Sequence, residues 1–263
     1  MQLPIGFILA LSVSYLAYRA HSLNKSGAVA ASLTGTVIFG IGGWQWAVLL
    51  LAFFITSSGL SRAFKDRKKG LDEKFSKGHE RDAGQVFGNG GIATLFAALH
   101  FFYPASPLPW IGFAAALAAV NADTWATELG VLNPHPPRIL TNLKMVVEKG
   151  TSGGVSFIGT LASLTGSALI AFLASLLTGD WSLFLPVTFS GLAGSLFDSF
   201  LGATVQAMYF CPRDKKETEK HPLHTCGTET TLIRGWSWLD NDRVNFACAA
   251  FGVLTSLIIK GLF

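Results

Sequence analysis

Residues 26–61 read SGAVAASLTGTVIFGIGGWQWAVLLLAFFITSSGLS, and no charged residue occurs from Ser26 to Ser61. A helix of about 20 apolar residues crosses roughly 30 Å of hydrocarbon, so this stretch is long enough for two crossings that turn around Gly42. The pattern recurs. No Asp, Glu, Lys or Arg falls between Ala83 and Ala122, Ser152 and Gly179, Trp181 and Phe197, or Val244 and Ile259. Broken at its Gly, Pro and Trp punctuation, the chain gives expected helices at 3–19, 26–41, 44–61, 84–103, 110–130, 152–178, 182–209 and 244–262. The expected fold is an all-α integral membrane protein, a compact bundle of about eight transmembrane helices in a single polytopic domain spanning 1–263.

Composition agrees. Of 263 residues, 50% are apolar and only 14% charged, with a mean hydropathy of +0.44. A soluble domain carries about a quarter charged residues. The apolar run at the N-terminus has no positive charge before it and no clear small-x-small cleavage site after it, so it reads as an uncleaved first span. Three cysteines, all in the last fifth of the chain, imply no disulfide framework.

The net charge of +4 and the pI of about 9.0 follow from topology. If all eight helices cross, loops 19–25, 62–83, 131–151 and 210–243 share one side, and they hold 19 of the 20 Lys and Arg residues. Only Lys260 is left over. The positive-inside rule then puts those loops in the cytoplasm and both termini on the other side. Nucleic acid is not needed as a partner. Small residues recur at three-to-four spacing in the sixth span (Gly153, Gly159, Ser163, Gly166, Ser167) and the seventh (Gly191, Gly194, Ser195, Gly202, Ala203). In lipid, such faces let helix backbones approach closely.

A carboxylate at the centre of a membrane helix costs about 2.5–3.5 kcal/mol even on insertion scales, so each one points to function. Asp123 and Glu128 lie in Asn121-Ala-Asp-Thr-Trp-Ala-Thr-Glu-Leu-Gly130, with Thr124 and Glu128 four apart on one helical face. This oxygen-rich group suits a hard cation such as Mg2+. Asp198 stands 11 residues before the end of its expected span, roughly 16 Å deep, in a stripe with Ser195, Gly202 and Gln206. Arg81, Gln85 and Asn89 run down one face of the fourth span, and an Arg with two amides grips a phosphate or carboxylate. Lys149, Gly150, Thr151, Ser152, Gly153 and Gly154 enter the expected sixth helix, whose free N–H groups and dipole favour the phosphates of a nucleotide. Asp240, Asn241 and Asn245 flank the start of the last span and close the same site.

Five ordered motifs carry a family resemblance: Arg81–Gly90, Asn121–Gly130, Lys149–Ser156, Asp198–Gln206 and Asp240–Asn245. Together they resemble the transmembrane protein 19 family, catalogued as domain of unknown function 92, from about Ser26 to the C-terminus. Its best-understood plant and cyanobacterial members are phytyl phosphate kinases, which make phytyl diphosphate for tocopherol and related prenyl-lipid synthesis. The motif pair around Asp123 and Lys149 is also distantly similar to CTP-using polyprenol kinases and cytidylyltransferases. The resemblance implies phosphoryl transfer from CTP, UTP or ATP to an isoprenoid monophosphate. It implies Mg2+ on Asp123, Glu128 and Asp198, nucleotide phosphates on Lys149 and the 150–154 turn, and the acceptor phosphate on Arg81 and Asn89. Asp240 and Asn241 complete the cation or nucleotide site, and the prenyl tail lies between helices in the bilayer.

Cys211, His221, His224 and Cys226 fall within 16 residues and can supply a tetrahedral, structural Zn2+ site. The segment resembles the zinc-ribbon-like insertion of some bacterial members, with Asp214 where a second cysteine is expected. A polytopic bundle with buried carboxylates also fits a cation-coupled transporter. Clustering of the polar groups toward one face favours a membrane-embedded enzyme. The expected location is a prokaryotic plasma membrane with the active site on the cytoplasmic side.

Overall fold

The structure, a computed structural model, describes residues 3–64 and 80–262. Most of the basic loop 62–83, including Lys65, Arg67, Lys68, Lys69, Lys74 and Lys77, lies outside the described residues. Among the described residues eight α-helices follow one another: α1 (Leu3–Arg19), α2 (Lys25–Val37), α3 (Trp44–Ala63), α4 (Ala83–Phe102), α5 (Leu108–Gly130), α6 (Phe157–Thr178), α7 (Phe184–Thr204) and α8 (Asn241–Leu262). Four segments are long and apolar enough to cross a membrane: Trp44–Ala63, Phe157–Thr178, Trp181–Thr204 and Asn241–Gly261. α2 is shorter, at 13 residues, and continues through one π-helical turn, Ile38–Gly42, before Gly43 at φ 83° ends it.

α5 is the axis of the bundle. Every residue from Pro109 to Ala122 is buried, and the helix packs on α3, α4, α6, α7 and α8. A helix apolar on all sides belongs in an interior, and the Ala114–Ala119 run lets its neighbours come close. A Cβ on Gly191 of α7 would lie 2.0 Å from Ser167 Oγ of α6 and 2.9 Å from the Ala118 carbonyl carbon. One on Gly194 of α7 or Gly252 of α8 would meet Ala119 Cβ at 2.6 or 2.7 Å. The small residues on α7 and α8 therefore set the spacing of the core.

The fold is not purely helical. Two small antiparallel sheets sit between helices. The first has the order β2-β1-β3, from β1 (Arg138–Ile139), β2 (Asn142–Val146) and β3 (Gly154–Val155). The second has the order β5-β4-β6, from β4 (Met208–Cys211), β5 (Lys216–Thr218) and β6 (Thr231–Arg234). β3 and β4 shorten two expected helices. The sixth begins at Phe157, capped by Ser156, rather than at 152, and the seventh ends at Thr204 rather than 209. Gly153 consequently belongs to a loop and not to the α6 face.

At one end of the bundle Lys260 of α8 donates to Ser182 Oγ at 2.6 Å, and Ser182 donates in turn to Asp180. The lone basic residue outside the four charged loops thus sits at the α6–α7 connection. The Ser182 hydrogen bonds, with help from Lys260, hold the Asp180 carboxyl below the usual range.

Candidate active site

At the opposite end, α3, α5 and α7 arrive by their C-termini and α4, α6 and α8 by their N-termini, around a cavity of about 310 Å³. The three helix N-termini bring unpaired N–H groups to this end and the three C-termini bring carbonyls, so their dipoles oppose one another. The cavity is lined by Arg81, Gln85, Asn89, Asp123, Glu128, Lys149, Gly150, Thr151, Ser152, Gly153, Gly154, Asp198, Asn241 and Asn245. Five separate sequence motifs meet there. Asp240 is not part of the lining. It caps α8 by accepting from the Arg243 N–H at 3.1 Å and pairs with the Arg243 guanidinium at 2.8 Å, so a capping role replaces the expected cation-site role.

Asp123 on α5 and Asp198 on α7 face each other across the helix pair. Ser195 hydrogen-bonds Asp123, and Asp198 lies within electrostatic range of Asp123 and Glu219. Asp198 Oδ2 is buried with no hydrogen-bond partner among the described residues. Because α7 ends at Thr204, Asp198 is about 9 Å from the helix end, not 16 Å. Glu128 has a different neighbourhood. It accepts from Ser61 Oγ at 2.6 Å and faces the Arg81 charge. Asp123, Glu128 and Asp198 border one cavity without forming a compact three-ligand cluster, since among the described residues only the group containing Cys211 brings three or more such donor atoms within 4.8 Å.

The two half-buried aspartates suit Mg2+ nonetheless. That ion keeps several waters and is held by one or two carboxylates together with substrate phosphates. An unpartnered buried carboxylate oxygen needs a compensating cation or proton.

Arg81 is anchored by its backbone. Its carbonyl accepts from Asn24 N and its N–H donates to Ser22 O, both at 3.0 Å. Its guanidinium lies over Phe53 and Phe54, with centroids at 5.6 and 5.7 Å. Burial lowers its pKa to about 10, against the pull of Glu128, so it stays cationic at neutral pH. Gln85 completes a capping box with Asp82, and Asn89 Nδ2 donates to Gln85 O at 2.8 Å. Both amides therefore serve the helix as well as line the cavity.

Lys149 is not a free-swinging phosphate ligand. Its ammonium donates to Val131 O at 2.9 Å and Asn133 O at 2.7 Å, tying the glycine loop to the C-terminal end of α5. Gly150 and Gly153 take φ of 78° and 81°. The loop then packs on α7, where Ser152 Oγ donates to Gln206 Oε1 at 2.7 Å, and Gln206 Nε2 donates to Glu219 Oε1 at 2.9 Å.

Among the lining residues that escaped sequence reasoning are Ser61, Thr160 and Glu219. Glu219 lies among Lys215, Lys216, Glu217 and Lys220, and nothing in that run distinguishes it from Glu217. A second, apolar cavity of about 80 Å³ lies among α1, α2, α3 and α4, lined by Ala10, Val13, Gly35, Leu50 and Phe54. It shares Arg81, Gln85 and Asn89 with the first.

The expected zinc set is also changed. Cys211, Asp214, His224 and Cys226 come together, whereas His221 stacks on Tyr209 with centroids 4.4 Å apart and planes at 10°. Asp214 occupies the place expected for His221.

Residues 8–253 match the family described as Integral membrane protein DUF92. Protein PGR of Arabidopsis thaliana is 33% identical over 93% of this chain and 91% of its own length. An uncharacterized membrane protein of Methanocaldococcus jannaschii is 34% identical over 77% of this chain and 83% of its own. Protein VTE6, chloroplastic, of Arabidopsis thaliana is 23% identical over 90% of this chain and 65% of its own. No solved structure matches the chain.

Proposed function

The chain belongs to the DUF92 family of multi-pass integral membrane proteins, and from that premise we propose that it is a membrane-embedded isoprenyl phosphate kinase. The observation that carries this reading is the pair of half-buried aspartates, Asp123 and Asp198, the second with one fully buried, unpartnered oxygen among the described residues, in a cavity that also holds Arg81 and a glycine loop. The motif resemblance to phytyl phosphate kinases supports the same reaction class.

In this reaction an oxygen of the prenyl monophosphate attacks the γ-phosphorus of a nucleoside triphosphate. The bond from the γ-phosphorus to the β–γ bridging oxygen breaks, and the nucleoside diphosphate leaves. The acceptor's second pKa is about 6, so it arrives mostly dianionic and needs no strong base. What the protein must supply is alignment and charge compensation. Asp123 and Asp198, with Glu128 on the same cavity wall, would hold Mg2+, which would supply charge compensation for the nucleotide's phosphate oxygens. Gly150, Thr151, Ser152, Gly153 and Gly154 offer the donor CTP, UTP or ATP a backbone cradle beside the α6 N-terminus. Lys149 fixes that loop. Arg81 takes the acceptor phosphate at the border of the polar and apolar cavities, and the isoprenoid tail enters the apolar one. Eight crossings, with the cavity on the cytoplasmic side of a prokaryotic plasma membrane and both termini opposite, complete the reading.

The direct test is transfer of γ-labelled phosphate to a prenyl monophosphate by purified protein. Within it, Arg81→Ala is expected to raise the KM for the lipid acceptor about 10–100-fold, the worth of a charge-assisted phosphate contact. The KM for nucleotide should change far less, and Arg81→Lys should recover little because Lys lacks the bidentate fork. Equal loss for both substrates would remove Arg81 from the acceptor site.

A further inference from the structure

We propose that Cys211, Asp214, His224 and Cys226 form a tetrahedral zinc site that fixes the β4–β5 hairpin and, through it, Glu219 at the edge of the cavity. Cys211 ends β4 and Asp214 lies in the turn to β5, where Cys211 pairs with Lys216. His224 and Cys226 come from the segment between β5 and β6. Each residue offers one donor atom, and the four lie within 4.8 Å of one another.

The distances suit an ion better than a disulfide. Cys211 Sγ and Cys226 Sγ are 3.5 Å apart. A disulfide requires about 2.05 Å, whereas two thiolates at about 2.3 Å from a tetrahedral ion sit roughly 3.7 Å from each other. His224 Nδ1 and Asp214 Oδ2 are 2.9 Å apart across the other edge, and the His224 ring is fully buried. Two sulfurs, one imidazole and one carboxylate suit borderline-soft Zn2+ rather than Mg2+ or Ca2+, which take oxygen ligands. Four protein ligands close the coordination sphere, the mark of a structural site.

Position gives the site its consequence. Thr218, which ends β5, is fully buried, and the next residue, Glu219, borders the cavity and holds Gln206. From β6, Arg234 donates to Gly202 O and Ala203 O at the end of α7. A sheet of three short strands has little core of its own, and a metal supplies the missing constraint.

The test is metal content of the full-length protein, purified in detergent under reducing conditions without chelator. One zinc ion per chain is expected, retained in His221→Asn and lost in Asp214→Ala and Cys226→Ser. Cobalt reconstitution of the wild type should give a thiolate-to-cobalt charge-transfer band and tetrahedral ligand-field bands, a readout that does not depend on variants folding. Substoichiometric zinc with no cobalt–thiolate band, whether the thiols are free or oxidised to a disulfide, would overturn the proposal. Zinc lost in His221→Asn but kept in Asp214→Ala would overturn this ligand set. None of these readouts depends on the kinase reading.

Discussion

Asp198→Asn is expected to lower phosphoryl transfer by about 10²–10³-fold or more, while the variant melts in detergent no lower than the wild type. Asn keeps the shape of the side chain and removes its charge. In the folded protein that half-buried group lies beside Asp123 and Glu219, and its buried oxygen Oδ2 has no hydrogen-bond partner among the described residues. An arrangement of this kind works against stability. It persists where function needs it, which is the usual origin of a conflict between activity and stability. A fall in activity that merely tracked a fall in melting temperature would instead make Asp198 a structural contact between α7 and its neighbours.

Gly153→Ala is expected to destabilise the protein by about 2–5 kcal/mol, combining strain at positive φ with a backbone clash. Gly153 has φ 81°, and an added Cβ would lie 2.3 Å from Ala203 N and 2.5 Å from Ala203 Cα, both backbone atoms that cannot swing aside. Relief requires the glycine loop to leave α7, which breaks the Ser152–Gln206–Glu219 chain of hydrogen bonds. Gly179→Ala provides the control. Its φ of 74° imposes similar strain, but nothing lies within 4 Å of the new Cβ, so about 1–2 kcal/mol is expected. Thermal unfolding of both variants in detergent measures the difference. Equal shifts would mean that the loop does not pack on α7 as described.

The helices were legible because absence of charge is a strong signal over twenty residues, and the expected boundaries of α1, α3, α4, α5 and α8 fall within three residues of the observed ones. The errors lie where backbone pairing is non-local. Residues 152–156 are uncharged and glycine-rich, and read as the start of a membrane helix. Instead Gly154 and Val155 pair with Ile139 and Arg138, a contact set by chain reversal rather than by local hydropathy. Met208 and Tyr209 likewise joined the seventh span on hydropathy, yet Met208–Cys211 pairs with strands on both sides.

The site was legible through polar residues placed where apolar ones belong. Asp123, Asp198 and Arg81 stand out against lipid-facing sequence, and the fold brings them to one cavity. Glu219 and Ser61 were not legible, because a Glu in a charged loop and a Ser at a helix end are common. Asp240 and Lys149 have a second engagement that the sequence did not reveal. Each has the chemistry of a ligand, and each is engaged by its own neighbourhood, Asp240 with Arg243 and Lys149 with two carbonyls.

The decisive measurement offers purified protein in detergent a γ-labelled nucleoside triphosphate with Mg2+, and either phytyl phosphate or phytol as acceptor. Label is expected in the diphosphate formed from phytyl phosphate, absent with phytol, and lost in Asp123→Asn and Asp198→Asn protein that remains folded. Label on the free alcohol would place the chain with the polyprenol kinases. No transfer from folded protein with CTP, UTP or ATP would contradict the kinase reading and leave the two aspartates to a cation-transport role.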